Sequence, residues 1–219
     1  MTDLDLCYLP ATDAIKRFKA KTLSPVELLD ALIRRAEEVE PVINAFTYRH
    51  FDEAMDKAKK AEAKYASGKR TRALEGLPIG IKDENFIKGK PTSSGSLIMK
   101  DFVADRTSVG NERIMRAGGI IHARTATPEF SAAFCTQSRL WGATRNPWNP
   151  EFTPGGSSGG TAASLAAGTS TIASGSDIAG SIRNPAGCCG LVGYKPPYGR
   201  NSDDPPFNLD FYCHTGPLA

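Results

Sequence analysis

Hydrophobic and polar positions in the first third of the chain recur with the period of an α-helix. Ser24–Glu27 combines a capping serine, a proline suited to the first helical position and the glutamate of a capping box. Apolar residues then return every three or four positions, which predicts a helix that runs to about Glu40 and ends at Pro41. A second helix, rich in Ala and Lys, is predicted from about Tyr48 to Ala66 and stops at Gly68. We interpret residues 1–70 as a helical scaffold.

From residue 71 onward, short apolar runs that are typical of strands alternate with helical patterns. This alternation predicts an α/β fold, in which a sheet and helices form separate layers. We interpret residues 71–219 as the catalytic core of the chain. Its predicted elements are a strand at Leu77–Lys82, a helix at Ser108–Ala117 closed by Gly118-Gly119, a strand at Ile120–Arg124, a non-helical connection at Trp141–Pro154, a short helix at Ala162–Ala167 and a strand at Thr171–Ser174.

Composition and charge exclude several classes of protein. The chain has 219 residues, 40% hydrophobic and 23% charged, with a net charge of +3 and dispersed basic residues, which argues against a nucleic-acid binder. No apolar run is long enough for a membrane helix, and the N-terminus lacks the pattern of a secretory signal. The five cysteines have no Cys-x-x-Cys spacing, so we expect reduced thiols, a cytoplasmic protein and no metal site.

Two glycine-rich stretches present serines, and a lysine lies upstream of both. Ser157 stands between glycine pairs in Pro154–Gly160, and Ser181 follows Gly180. A serine hydroxyl is a weak nucleophile until a base takes its proton, and a neutral lysine can act as that base. Lys82 ends an apolar run, so burial could lower its pKa. The alternatives are a flexible Gly-Ser linker, and a lysine that is at the surface or salt-bridged to the acidic residues Asp83 and Glu84.

Several separated motifs closely resemble the amidase signature family. Pro154–Gly160, Gly175–Ala186 and Cys189–Pro196 resemble the family signature, and Leu77–Asp83 resembles its lysine segment. The resemblance begins near Ser24 and continues to the last residue. It implies a mixed twisted sheet flanked by helices on both faces, of which this chain holds the N-terminal half.

The resemblance also implies a mechanism and a role for individual residues. Amides are hydrolysed through an acyl-enzyme by a Ser–Ser–Lys triad, without metal or organic cofactor. Ser181 resembles the nucleophile, Ser157 the bridging serine held by a cis peptide bond, and Lys82 the general base. Backbone N–H groups of Ile178, Ala179, Gly180 and Ser181 would form the oxyanion hole. Ser158, Asp177 and Arg183 would support this geometry through hydrogen bonds.

The sequence departs from the family in two respects. Ala179 stands where the family usually has glycine, and its methyl group could narrow the oxyanion hole. The family's proteins are typically about twice as long, and this sequence stops inside what resembles another family motif. We therefore expect a C-terminal half, attached or as a second chain, to be needed for stability and substrate selection, because an unpaired sheet edge and an exposed apolar face favour aggregation.

The predicted function is that of an amidase, a hydrolase of carbon–nitrogen bonds in small linear amides. Two alternatives stay open: an A-type component of an aminoacyl-tRNA amidotransferase, which needs partner subunits and tRNA, and an inactive fragment that serves as a binding or structural module. No membrane partner is expected, and a homodimer stays open. Four aromatic residues could line an acyl pocket, although core packing is the simpler interpretation: Phe130, Phe134, Trp141 and Tyr194.

Overall fold

The computed structural model of the protein describes residues 1–205 and 209–219. The α-helices are α1 (Asp3–Cys7), α2 (Ala11–Ala20), α3 (Pro25–Ile43), α4 (Phe51–Ala66), α5 (Val109–Arg116), α6 (Gly159–Ala166) and α7 (Arg183–Cys189). The strands are β1 (Phe46–Arg49), β2 (Pro78–Lys82), β3 (Ile120–Thr125), β4 (Gln137–Ser138), β5 (Gly142–Ala143), β6 (Ile172–Asp177) and β7 (His214–Leu218). The α/β class is therefore confirmed.

A five-stranded mixed sheet forms the centre of the molecule. Its strand order is β1-β3-β2-β6-β7, with β2 parallel to both β3 and β6. The two outer strands, β1 and β7, run antiparallel to their neighbours. Because the three inner strands are parallel, their carboxyl ends meet at one edge, where ligand sites of open α/β sheets lie.

Helices cover both faces of the sheet, and each face has its own type of core. Ile79 and Ile81 of β2 pack with Ile121 of β3 and Ile114 of α5 on one face. Helix α6 packs on the other face through small residues. Its closest approach is at Gly160, where an added Cβ would lie 2.3 Å from the backbone nitrogen of Ala126. Only glycine therefore lets α6 begin directly against the end of β3.

Helix α3 begins as predicted and ends three residues later than predicted. Ser24 accepts hydrogen bonds from the N–H groups of Val26 and Glu27, which confirms the capping box. Pro41 lies inside the last turn of the helix. A proline is tolerated there because its missing N–H costs a single hydrogen bond. The helix ends at Ile43 and is capped by Asn44, which takes a left-handed conformation at φ 49° and whose N–H donates to the carbonyl of Glu40.

The second predicted helix begins at the wrong place. Tyr48 belongs to β1, and α4 begins at Phe51. Buried Phe46 pairs with Thr125 of β3, so sheet contacts that are distant in sequence override the helical pattern. Strand β1 thus adds the first part of the chain to the central sheet, and the division of the chain near residue 70 stays a prediction. Helix α7 and strand β7 were not predicted, and α6 and β6 extend beyond their predicted bounds.

Candidate active site

Lys82 is the last residue of β2 and is fully buried. Its Nζ donates to Ser157 Oγ at 2.7 Å and to Ser176 Oγ at 2.9 Å. The surface position considered for this lysine is therefore wrong. Burial lowers the pKa of the Lys82 ammonium below its ordinary value, against the opposing charge of Glu84. A lysine in this setting gives up its proton more readily than one at the surface.

Ser157 lies in a well-packed loop that leads into α6. The residues from Pro154 to Gly160 are all buried, so a flexible linker is excluded. The peptide bond between Gly156 and Ser157 is cis, in agreement with what the family resemblance implies. The Gly156 N–H donates to Asn184 Oδ1 at 3.1 Å, which attaches this loop to α7. The hydroxyl of Ser157 is thereby held directly over Lys82.

Ser181 lies in the turn between β6 and α7. It is 9% exposed, whereas Lys82 and Ser157 are 0% exposed, so it is the member of this trio that a reagent reaches first. The carbonyl of Ser181 accepts the N–H of Ser158 at 3.2 Å. Backbone contact therefore joins the two serine-bearing loops, although they are separate in the sequence.

Asp177 fixes the turn that carries Ser181. Its carboxylate accepts the N–H groups of Gly180 at 2.7 Å and Ile182 at 3.2 Å, and the Nε and Nη2 donors of Arg183, each at 2.9 Å. Burial opposes the charge of this carboxylate, but the hydrogen bonds from Arg183 and the backbone hold its pKa below the usual range. The turn is thus built around a permanent negative charge, and Lys195 lies 3.4 Å from it.

The backbone of this turn accommodates Ala179 without strain. Gly180 has φ 127°, a region open to glycine, whereas Ala179 is not among the described residues with positive φ. The methyl group of Ala179 is exposed to solvent. The Gly180 N–H, one of the four amides predicted to form an oxyanion hole, donates to Asp177.

The site contains polar residues that the sequence interpretation did not assign. Ser176 accepts from Lys82, and Glu84 places a carboxylate oxygen 3.4 Å from the Lys82 ammonium. Ser158 Oγ, a predicted supporting group, accepts the Ser176 N–H at 3.3 Å. The signal for Ser176 was strand alternation: residues two apart share a face, so Ser176 lies on the same side of β6 as Ser174, whose Oγ accepts the Lys82 N–H.

A cleft of about 380 Å³ opens beside these residues and is lined by both Glu84 and Ser176. Phe130 is 54% exposed and lines this cleft, and Phe134 and Tyr194 are similarly exposed, so core packing is wrong for these three. Trp141 is partly buried and donates to Ser93 Oγ.

The described ranges contain no cluster of three or more His, Cys, Asp or Glu side chains arranged to hold a metal ion. Within the same ranges, no helix has the length and apolar character needed to cross a membrane. All five cysteines are free thiols.

Comparison with known proteins finds similar sequences over most of the chain. A family model described as Amidase matches residues 27–218. The A-type subunit of the glutamyl-tRNA(Gln) amidotransferase from Synechococcus sp. (strain CC9605) is 41% identical over 187 residues, which cover 85% of this chain and 38% of that protein. Its counterpart from Carboxydothermus hydrogenoformans is 39% identical over 196 residues, covering 90% and 40%. The chain thus spans about two fifths of the length of these curated relatives.

Solved structures give the same partial coverage. A fatty acid amide hydrolase superposes with a TM-score of 0.93 at 29% identity, and the match covers 100% of this chain and 40% of that one. A bacterial aryl acylamidase, described as belonging to the amidase signature enzymes, superposes with a TM-score of 0.91 at 31% identity, covering 97% and 45%. The mixed sheet and its helices are therefore those of the amidase signature fold.

Proposed function

Because this chain belongs to the amidase signature family, we propose that it carries the site at which the carbon–nitrogen bond of an amide is cleaved through an acyl-enzyme on Ser181. The observation that supports this most strongly is the fully buried Lys82 in contact with Ser157 at 2.7 Å. Burying an ammonium group costs free energy unless it is compensated, so this arrangement favours a chemical role for the lysine.

The proposed reaction moves one proton in a circuit. Neutral Lys82 accepts the proton of Ser157, Ser157 accepts that of Ser181, and Ser181 Oγ adds to the amide carbonyl carbon. When the carbon–nitrogen bond breaks, the proton returns through Ser157 to the leaving nitrogen, and the acyl group stays on Ser181. A water molecule then takes the place of the amine, gives up a proton by the same route and adds to the acyl carbon. The ester bond to Ser181 breaks, the proton returns through Ser157 to Ser181 Oγ, and the carboxylic acid is released.

The developing negative charge on the carbonyl oxygen needs positioned donors. We assign this role to the amides of Ile178, Ala179 and Ser181, with Gly180 fixed by Asp177 so that the turn keeps its shape. Arg183 supports the same turn through Asp177, and Ser158 supports it through its N–H, which donates to the Ser181 carbonyl. No metal and no organic cofactor takes part in the proposed steps.

A second candidate function rests on the curated relatives. Those quoted above, at 39% to 41% identity, are A-type subunits of glutamyl-tRNA(Gln) amidotransferases, whereas the solved amidases are 29% to 31% identical. The sequence relationship thus favours an amidotransferase component, for which the same Ser181 chemistry would act together with partner subunits. The substrate, partners and complete activity of the whole protein are proposals in either case.

The first experiment tests the acyl-enzyme itself. The protein is incubated with a serine-directed fluorophosphonate, and the modified residue is identified by mass spectrometry. We expect the label on Ser181, no label in Ser181→Ala, and slower labelling in Lys82→Ala. An unlabelled wild-type protein would contradict the proposal and favour a binding or structural module instead.

The second experiment separates the two enzymatic functions. Hydrolysis of simple linear amides by the protein alone is compared with amide transfer in the presence of glutamyl-tRNA(Gln) and co-purified partner subunits. Activity that depends on both tRNA and partners identifies the amidotransferase component. Full hydrolysis of linear amides by the protein alone identifies an independent amidase.

A further inference from the structure

Glu84 reaches back to the lysine that lies two residues before it. Its N–H donates to the carbonyl of Lys82 at 2.8 Å, which forms a tight turn at the end of β2. One carboxylate oxygen lies 3.4 Å from Lys82 Nζ, and the other accepts the hydroxyl of Ser131. The Glu84 side chain is 21% exposed and lines the cleft, so this contact occurs between the buried lysine and solvent.

Other charged and titratable groups also surround Lys82, and each is compensated or neutral. Asp177 of β6 is neutralised by Arg183 and Lys195. Burial raises the pKa of the Cys213 thiol to about 12, which keeps it uncharged near neutral pH. Within residues 1–205 and 209–219, Glu84 is the carboxylate at ion-pair distance from the Lys82 ammonium.

Glu84 itself meets a second cation and a fixed hydroxyl. Arg124 of β3 is close enough to interact with it electrostatically, but its guanidinium lies 3.5 Å from Asp83 and donates to backbone carbonyls. Ser131 holds the outer oxygen of Glu84 and in turn contacts Thr127 at 2.9 Å. The carboxylate therefore has a fixed position, with one oxygen directed toward Lys82.

We propose that Glu84 is a positioning residue that controls the proton on Lys82 and the direction of its ammonium group toward Ser157. The inference rests on the proposed function, in which Lys82 acts as the base. A negative charge beside the ammonium favours the protonated form, in opposition to burial. Glu84 thus opposes the loss of the Lys82 proton and holds the lysine side chain in place, so Lys82 should act as a base at lower pH without the Glu84 charge than with it.

Glu84→Gln tests this inference, because glutamine keeps the size of the side chain and can still accept a hydrogen bond from Ser131. Loss of the charge should lower the pKa of Lys82, so the ascending limb of kcat/KM should move to lower pH. On that limb the fraction of neutral lysine should increase about tenfold. The maximal rate should fall, because the ammonium loses one of its three contacts.

A direct measurement of Lys82 makes the test independent of turnover. NMR titration of 13Cε-labelled lysine, with the Lys82 signal assigned from Lys82→Arg, should show a lower pKa in Glu84→Gln than in the wild type. Glu129→Gln is the matched control, since Glu129 also accepts a serine hydroxyl, that of Ser96, but has no contact with Lys82. It should leave the Lys82 titration unchanged.

Glu84→Asp provides a second variant if glutamine impairs folding. The retained charge on a shorter side chain should give a Lys82 titration between those of wild type and Glu84→Gln. An unchanged or higher pKa of Lys82 in Glu84→Gln would overturn the inference. If the wild-type protein forms no acyl-enzyme, the proposed function fails, while the titration still decides whether Glu84 controls the lysine proton.

Discussion

The helical layer and the sheet edge bury their side chains in opposite ways. In α3 and α4 most buried positions are apolar, chiefly leucine and alanine, with Glu40 as a buried exception. Ion pairs such as that of Lys57 with Glu53, both more than 40% exposed, lie in solvent. At the sheet edge the buried positions include charges, as with Asp83 and Arg124, which are both 0% exposed and 3.5 Å apart. The helical layer depends on the burial of apolar side chains, and the sheet edge depends on buried polar groups that have hydrogen-bond or ion-pair partners.

This difference has consequences for what a substitution does. An exposed ion pair contributes about 0–1 kcal/mol, so the helical layer tolerates changes of charge. A buried polar group that loses its partner costs about 1–3 kcal/mol, so each member of the sheet-edge network depends on the others. Burial raises the pKa of Asp83 to about 6 even beside Arg124. The helical layer thus contributes mainly to stability, whereas the sheet edge holds the groups that are available for chemistry.

The largest expected effect is on catalysis without loss of stability. Ser181→Ala removes the nucleophile and should lower kcat by about 10⁴-fold or more, because no acyl-enzyme can form. Ser157→Ala should leave a small residual rate, since it removes a proton relay and keeps the nucleophile. Steady-state turnover of an amide measures both, and equal activity of Ser181→Ala and wild type would contradict the assignment.

A smaller loss of rate is expected when the base is removed. Lys82→Ala should lower kcat/KM by about 10²- to 10⁴-fold, the usual contribution of a general base. Burial lowers the pKa of Lys82 from its ordinary value of 10.5. The wild-type kcat/KM should therefore rise with pH through that lowered pKa, as the lysine becomes neutral. The variant should lack this ascending limb. An unchanged pH profile would mean that the proton goes elsewhere.

In the helical layer the expected effect is on stability alone. Leu32→Ala removes a fully buried side chain from the core between α3 and its neighbours and should cost about 2–5 kcal/mol in the free energy of unfolding. Activity per folded molecule should not change. Val42→Ala on the same helix is the control, because Val42 is 56% exposed and should have little effect. Chemical denaturation and active-site titration measure the two quantities.

The smallest expected effect concerns one helix cap. Ser24→Ala removes the acceptor for the N–H groups of Val26 and Glu27 and should cost about 1 kcal/mol. Ser24→Asp, which can accept the same bonds, should restore most of this stability. The thermal midpoint of unfolding checks both variants. A change of kcat in either variant would contradict the separate roles of the helical layer and the sheet edge.

The sequence predicted the elements that depend on neighbouring residues. The capping box at Ser24, strand β2 and helix α5 were predicted within one or two residues, because periodicity and capping are local properties. Strand β1 was missed because its four residues are stabilised by pairing with β3, more than seventy positions away. A local pattern contains no information about such a partner.

The sequence likewise indicated some residues of the candidate site and missed others. Lys82, Ser157 and Ser181 stood out because glycine-rich loops and a strand end present them. Pairing of Lys82 with Glu84 was considered only as a surface salt bridge, because a carboxylate two residues after a lysine usually belongs to a solvated surface. Only the fold shows that Lys82 turns inward to Ser157 and that Glu84 reaches it from beside Ser131 and the cleft.

The strand order also has a consequence for the synthesis of this protein. Strand β2 is central, and its partners β3 and β6 both follow it in the chain, so β2 leaves the ribosome with two unpaired edges. Its edge toward β6 stays open until residues 172–177 have emerged. Unpaired edges of apolar strands recruit other chains. We therefore expect a nascent chain of intermediate length to depend on chaperones, and the lysine at the end of β2 to acquire its buried surroundings only when β6 pairs.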